Sequence, residues 1–326
     1  MSIWFRVTKF LVIAGAIATT HAAHAQPARA LPRIGVLSPF NSSADAFRDA
    51  FQQRLKELGY VAGRNIQLEY RAAEGVADQL PQLAIDLVKL KVNAIVTTTA
   101  AGAQAGKQAT ATIPIIIAGV DDAVEQGFVS SLARPEGNIT GVSWLNTALS
   151  AKRVELLKHT LPATSRIAYL REAVGAATSL RATEEAARTL GMRLLVIEIR
   201  APDEINGALS ALVQERVGAL IVAQGPILNG HEPRVVALAT KHRLPTIFAY
   251  RKAVEAGGLM SYGPNLVELY RRAADYAERI LKGAKPGDLP IEQPTGFELV
   301  INSRTATAIG VKIPPSVLVS AHEVIR

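Results

Sequence analysis

The chain contains no cysteine among its 326 residues. This absence excludes disulfides, thiolate metal sites, a cysteine nucleophile and a lipid-modified N-terminal cysteine. Aromatic residues are also few, with two tryptophans, seven tyrosines and eight phenylalanines, which is thin for a surface that stacks on bases. Basic residues exceed acidic ones by 36 to 28, but they are spread along the chain rather than clustered. We therefore expect no nucleic-acid partner.

Long apolar runs are missing as well. The apolar stretch near the start covers residues 10–18, which is shorter than the roughly 20 residues that a bilayer-spanning helix needs. Two basic residues precede it, and the small-residue pattern AHA ends at Ala25, so the segment 1–25 is predicted to be a signal peptide cut between Ala25 and Gln26. Its removal takes away two basic residues and lowers the formal charge from +8 to +6. An uncleaved anchor is the alternative. The cleaved product is expected in the periplasm.

The familiar motifs of enzymes are absent too. No glycine-rich dinucleotide turn, P-loop or G-x-S-x-G elbow occurs, and His231-Glu232 continues into Pro233 rather than into a zinc-binding helix. The histidines after residue 25 are scattered, and no pair has the spacing of metal ligands. We expect no catalytic residues, no metal and no cofactor, and hence a protein that is not an enzyme.

Short apolar strands alternate with amphipathic helices along the rest of the chain. Apolar residues at 47, 51, 55 and 58 mark one helix face, and Gly59 follows as a cap. This alternation predicts an α/β fold with parallel sheets covered by helices. The predicted strands of the first half are 33–37, 65–70, 94–98 and 115–118.

The pattern of the first half returns in the second. The strand 33–37 (RIGVL) is echoed by 166–170 (RIAYL), and the segments around 92–96 and 113–116 are echoed around 218–222 and 244–247. Echoes in the same order at nearly one offset predict two Rossmann-like lobes of similar topology. Chance similarity between short apolar patterns is the alternative reading.

Three segments are predicted to cross between the lobes as a hinge. They are 137–143, 257–263, which ends before Pro264 at the expected first position of a helix, and 296–301. The predicted hinge residues are Gly141, Ser143, Ser261 and Tyr262. Lobe one is expected to comprise 33–143 plus about 261–285, and lobe two 144–260 plus about 286–326.

Polar loops follow the predicted strands, where open α/β sheets bind their ligands. Small hydroxyl groups and exposed N–H groups there suit a carboxylate, and an aspartate suits an ammonium group. Capping, turn or core roles are the alternative for each residue. The predicted ligand-binding residues are Ser38, Asn41, Ser42, Thr98, Thr99 and Asp121 in lobe one, and Arg171, Glu172, Gln224, Phe248 and Tyr250 in lobe two.

Several stretches resemble the substrate-binding proteins of ABC transporters with the type I periplasmic-binding fold, in the branch that includes tryptophan- and tyrosine-binding members. They include RIGVLS at 33–38, SLARP at 131–135, GNITG at 137–141, EAGGLMSYG at 255–263 and FELVIN at 297–302. Asp121-Asp122 and Arg171-Glu172 depart from the family's usual turns, so the ligand does not carry over from the resemblance.

The resemblance implies capture of a small solute by hinge closure and its delivery to a membrane permease with its ATPase. We expect a monomer that binds an amino acid or a related small carboxylate. A sensory module that reports its ligand to a receptor, and an exported α/β enzyme, are the alternatives.

Overall fold

The computed structural model describes residues 31–39, 46–173 and 177–326. The predicted signal peptide lies outside these residues, as do Asn41 and Ser42 of the predicted site. The described chain contains two β-sheets with helices packed on both faces of each. In the described part, no helix has both the length and the apolar character needed to cross a membrane.

The first sheet has five strands, all parallel, in the order β2-β1-β3-β4-β5. The strand β4 is longer than predicted, because an irregularity at Gly119, whose φ is +105°, lets the strand continue to Asp121. The strands are β1 (Arg33–Ser38), β2 (Gln67–Ala72), β3 (Ala94–Thr97), β4 (Ile115–Asp121) and β5 (Ile139–Trp144). The helices that connect them are α1 (Ala46–Glu57), α2 (Leu80–Lys89) and α3 (Ala100–Ala109).

The second sheet has seven strands in the order β12-β11-β10-β9-β8-β6-β7. These are β6 (Arg166–Glu172), β7 (Arg193–Ile199), β8 (Ala219–Val222), β9 (Thr246–Phe248), β10 (Met260–Pro264), β11 (Phe297–Asn302) and β12 (Glu323–Ile325). The order β7-β6-β8-β9-β10 repeats that of the first sheet, as the sequence echoes predict. Within this mostly parallel sheet, β11 runs antiparallel to β10, because the chain re-enters the lobe from the other direction.

The helices of the second half complete the fold. They are α4 (Asn146–Thr160), α5 (Ala177–Thr189), α6 (Glu204–Gln214), α7 (Pro226–Gly230), α8 (Glu232–Lys241), α9 (Arg251–Glu255), α10 (Leu266–Leu281), α11 (Ser303–Ile309) and α12 (Pro315–Ser320). Although α10 follows a strand of the second sheet, it packs on the first sheet, where Tyr276 is fully buried beside Phe47 and Phe51 of α1. The chain therefore crosses back to lobe one after β10.

Asn265 begins α10, since its side chain accepts a hydrogen bond from the Glu268 N–H at 3.2 Å. The prediction that Pro264 occupies the first helical position is wrong, because Pro264 ends β10 instead. An asparagine side chain caps a helix, and the proline then lies just outside it.

We place the three crossings at 144–146, 264–266 and 292–297. The last is later than the boundary near 285 expected from the sequence, because Glu292 exchanges backbone hydrogen bonds with Gly141 and Ser143 of β5. Ile291 is buried in the core of lobe one, next to the α2 and α3 side of the sheet. The residues just before 292 therefore belong to lobe one in this placement.

Candidate functional site

The carboxyl end of β5 in the first sheet lies beside that of β9 in the second, since Trp144 and Tyr250 are in contact, and this region is the candidate site. On the lobe-one side, Ser38 is buried at the end of β1, and Thr98 is partly buried after β3. Thr99 accepts a hydrogen bond from the Gly102 N–H at 3.2 Å, so it caps α3. This cap uses one lone pair of the hydroxyl. The N-terminus of α3, with its partial positive charge, therefore lies directly after the loop that follows β3.

Asp121 of lobe one forms a hydrogen bond to the start of lobe two. It ends β4, and its Oδ1 accepts a hydrogen bond from the Asn146 N–H at 3.0 Å, at the start of α4. Leu145, which precedes α4, supplies no side-chain cap, so the carboxylate of Asp121 serves as the cap. Burial raises the pKa of Asp121 to about 6, against the opposing effect of the Asn146 hydrogen bond. Its Oδ2 is buried and has no hydrogen-bond partner among the described residues.

An aromatic pair spans the lobes beside Asp121. Trp144 ends β5, and its ring meets that of Tyr250 edge to face, with centroids 5.3 Å apart. Gly119 permits this placement, because a side chain there would overlap the indole. Within the described chain, the indole N–H and the Tyr250 hydroxyl are buried without partners. The two rings in contact thus carry two buried donors without partners.

Arg153 supplies the positive charge of the site. It lies on α4 with 4% of its surface exposed. Its Nε donates to the Tyr262 carbonyl and its Nη1 to Asn146 Oδ1, both at 2.8 Å, while Nη2 has no partner in the part of the chain that is described. Burial lowers the pKa of Arg153, and the negative charge of Asp121 opposes that effect. The guanidinium is therefore held rigidly with one N–H edge unused.

Arg171 and Glu172, at the end of β6, already have protein partners. Arg171 forms an ion pair with Glu198 at 2.9 Å. Glu172 is buried, and its Oε1 accepts a hydrogen bond from the Leu228 N–H at 2.9 Å, which fixes the loop that begins α7. Burial raises the pKa of Glu172 against the effect of that hydrogen bond. These two side chains organise lobe two, and Gln224 is partly buried beside them.

The structure separates Phe248 from Tyr250, which the sequence grouped together. Phe248 packs in the core of lobe two with Leu220 and Val235, and Gly258 leaves room for its ring. It is 3% exposed, so we leave it out of the candidate site. Tyr250, two residues later, lies between the lobes.

The predicted hinge residues lie within β5 and β10, before the crossings that end these strands. Gly141 has φ of +130° and packs against the Ile117 backbone. The Ser143 hydroxyl donates to the Val120 carbonyl at 2.9 Å, which ties β5 to β4. Ser261 is buried in β10, and the Tyr262 carbonyl receives the Arg153 bond already described.

Sequence reasoning missed three residues of the site, Trp144, Thr147 and Arg153, and one buried acid beside it, Glu232. A signal for Arg153 exists, since it shares a helix face with the buried Leu149, Leu156 and Leu157. A charged residue on a buried face needs a polar partner. Trp144 follows the predicted hinge strand directly. Thr147 and Glu232 carry no comparable signal, because only the folded chain brings their helix starts to the site.

The site thus presents a buried carboxylate, a buried guanidinium, two aromatic donors and the buried Thr147 hydroxyl. Each has an atom without a partner among the described residues. Buried polar atoms are nearly always hydrogen-bonded in folded proteins, so a small molecule with both charges matches this set. No group of side chains in the described ranges has the composition of a metal site.

Comparison with known proteins gives a consistent family. The model of the ABC transporter substrate binding protein family matches residues 33–325. A tyrosine-binding protein of Clostridioides difficile strain R20291 is 28% identical over 269 residues, covering 82% of this chain and 77% of that protein.

Two solved structures extend the comparison. The ABC domain in complex with L-Trp from Streptococcus pneumonia is 27% identical, covers 90% of this chain and 100% of its own, and has a TM-score of 0.84. A substrate-binding protein with adhesive properties from Clostridium difficile, in its ligand-free, open structure, is 26% identical with coverage of 90% and 99% and a TM-score of 0.67. The chain therefore belongs to the family of ABC transporter substrate-binding proteins, and its two lobes have the type I periplasmic-binding fold.

Proposed function

We propose that the protein is the periplasmic solute-binding component of an ABC importer, and that it captures an amino acid or a related small carboxylate between its lobes. The observation that carries this proposal is the pair of oppositely charged, buried side chains with unused atoms, Asp121 and Arg153. An α-ammonium group would bind Asp121 Oδ2, and an α-carboxylate would bind Arg153 Nη2. Capture involves no covalent step, so the protein is not an enzyme.

The position of these groups supports the proposal of hinge closure. Asp121 belongs to lobe one and Arg153 to lobe two, so a ligand that contacts both favours the closed arrangement over the open one. The higher TM-score with the L-Trp complex than with the ligand-free, open structure, at nearly equal sequence identity, supports a closed arrangement here. A permease and its ATPase in the membrane would receive the solute from a monomeric protein, without nucleic acid.

Binding is tested by isothermal titration calorimetry with each of the twenty amino acids, on protein refolded to remove co-purified ligand. Native mass spectrometry of the protein taken directly from the periplasm identifies what it carries in the cell. The proposal expects a bound mass that contains a carboxylate and saturable binding of at least one amino acid. A co-purified sugar or metal, with no amino-acid binding, would contradict it.

Replacing Asp121 with Asn is expected to weaken amino-acid binding by about tenfold to a hundredfold, because a charge-assisted bond to the ligand ammonium becomes a neutral one. The substitution keeps an oxygen that caps α4, so the fold should survive. Asp122→Asn is the matched control, since it removes the neighbouring charge and keeps the acceptor for the Glu125 N–H. Equal losses in both variants would show a general charge effect rather than a contact.

Binding is also expected to depend on pH. The raised pKa of Asp121, about 6, means that the carboxylate is ionised above that pH and protonated below it. Only the ionised form pairs with an ammonium group, so the contribution of Asp121 to the dissociation constant should level off above its pKa and approach about a tenfold rise per pH unit well below it. Calorimetry from pH 5 to 8 measures this, and Asp121→Asn should remove that part of the dependence.

A further inference from the structure

A second acidic side chain beside the site is not explained by binding of the α-amino and α-carboxyl groups. Glu232 is the first residue of α8, which follows β8 and α7 in lobe two. It is 6% exposed, and its Oε2 has no hydrogen-bond partner within the described ranges. Its carboxylate also forms no ion pair there, although the exposed Lys252 is near enough to lower its pKa. Burial dominates and raises that pKa to about 7.

Tyr250 connects Glu232 to the interlobe site. The pKa of the Tyr250 hydroxyl is raised chiefly by burial, with contributions from Tyr270, Asp121 and Glu232, and Arg153 opposes them. Geometry supports this connection, because Tyr250 directly precedes α9 and α9 packs against α8, the helix that begins with Glu232. Ala253 of α9 and Val235 of α8 lie in the same buried cluster, so the second acid is held in lobe two on the helix next to the one that Tyr250 caps.

The two acids and the arginine define the charge of a complementary ligand. Asp121 and Arg153 match an α-ammonium and an α-carboxylate, which leaves the Glu232 oxygen for a third group. An unpaired buried acceptor costs stability, and a hydrogen-bond donor on the ligand would remove that cost. An apolar side chain would leave the oxygen buried without a partner.

We propose that Glu232 is a specificity-determining residue, and that it selects amino acids whose side chain ends in a hydrogen-bond donor by binding that donor with Oε2. This rests on the proposed function, because it concerns the far end of the same ligand. An amine and a hydroxyl share the required chemistry, and the experiment separates them.

The test measures selectivity with two pairs of ligands. Lysine and norleucine differ by the terminal amine, and tyrosine and phenylalanine differ by the hydroxyl. Calorimetry on the full chain without its signal peptide is expected to show that the donor-bearing member of one pair binds at least about tenfold tighter. Wild-type binding of any of the four compounds supports the proposed function, whichever member is preferred.

Two variants then assign the preference to Glu232. Glu232→Gln removes the charge but keeps an acceptor, so it should cut a lysine preference by about tenfold and change a tyrosine preference less. Glu232→Leu removes the acceptor and should abolish either preference. Binding of norleucine and phenylalanine in Glu232→Gln should not weaken in proportion, since neither ligand offers a donor to this side chain.

Glu204→Gln is the matched control, because Glu204 is also the first residue of a lobe-two helix but is exposed. It should leave all four affinities unchanged. The inference is overturned if the wild type shows no preference for a donor within either pair, or if the preference persists in both Glu232 variants. Because the wild-type preference is measured first, a variant that fails to fold does not remove the test.

Discussion

Replacing Gly141 with Ala should lower the free energy of unfolding by about 3 kcal/mol or more. Gly141 has φ of +130°, a conformation that side chains other than glycine rarely adopt. An added Cβ would overlap the Ile117 carbonyl oxygen and would lie 2.8 Å from the Ile117 nitrogen. Both atoms belong to β4, which is paired with β5, so neither can move without opening the sheet between these two strands.

Calorimetric unfolding of the variant without ligand measures this effect, and Gly207→Ala is its control. Gly207 lies within α6, and outside the neighbouring backbone of that helix no heavy atom lies within 4 Å of its Cβ position. The same substitution there should raise stability by about 0.5–1 kcal/mol, because alanine favours the helix. A loss of similar size at both positions would show that the close packing of Gly141 on β4 is not what makes its substitution costly.

Replacing Arg153 with Met should weaken amino-acid binding by about a hundredfold or more, because the charged donor to the ligand carboxylate is lost. Methionine resembles the arginine stem in volume, so the packing of α4 is largely kept. The carbonyl of Tyr262 and Asn146 Oδ1 each lose a donor, and a modest decrease in stability is expected from this. Arg153→Lys should bind with intermediate affinity, since a lysine keeps the charge but not the planar fork.

A ligand whose carboxylate is blocked as an amide tests whether Arg153 contacts that carboxylate. The carboxamide of the best-binding amino acid should bind the wild type weakly and should lose less than the free amino acid in Arg153→Met, because only a neutral hydrogen-bond acceptor remains opposite the guanidinium. Lys152→Met is the control on the same helix, where Lys152 is exposed and paired with Glu155. Additive losses from the capped ligand and Arg153→Met would show that the two groups do not touch.

The fold could be predicted from the sequence because its signals are local. Apolar runs bounded by glycine, and the helix face at Phe47, Phe51 and Leu55, depend on neighbours along the chain. The similarity of the two lobes is likewise visible in the sequence, as short apolar patterns that recur in the same order. The antiparallel direction of β11 is not local, since it depends on where the chain returns after α10.

The site was harder to predict, because the direction of each side chain determines whether that residue faces the site or the core. Phe248 and Tyr250 are two residues apart, yet one fills the core and the other meets Trp144 across the lobes. Arg171 and Glu172 have the right chemistry for a ligand but are used by Glu198 and by the loop at Leu228. Arg153 lies on the same helix face as the buried leucines around it, and only its position in the folded structure reveals the polar surroundings that it contacts.

The placement of Trp144 has an optical consequence. The sequence has two tryptophans, and the other, Trp4, lies in the predicted signal peptide. In a chain cut between Ala25 and Gln26 as predicted, all indole fluorescence would come from Trp144, whose ring contacts that of Tyr250 in the opposite lobe. Emission excited near the red edge of the absorption band is therefore expected to change if this contact opens or if solvent enters, without any attached dye. Trp144 is thus an intrinsic fluorescent probe at the contact between the two lobes.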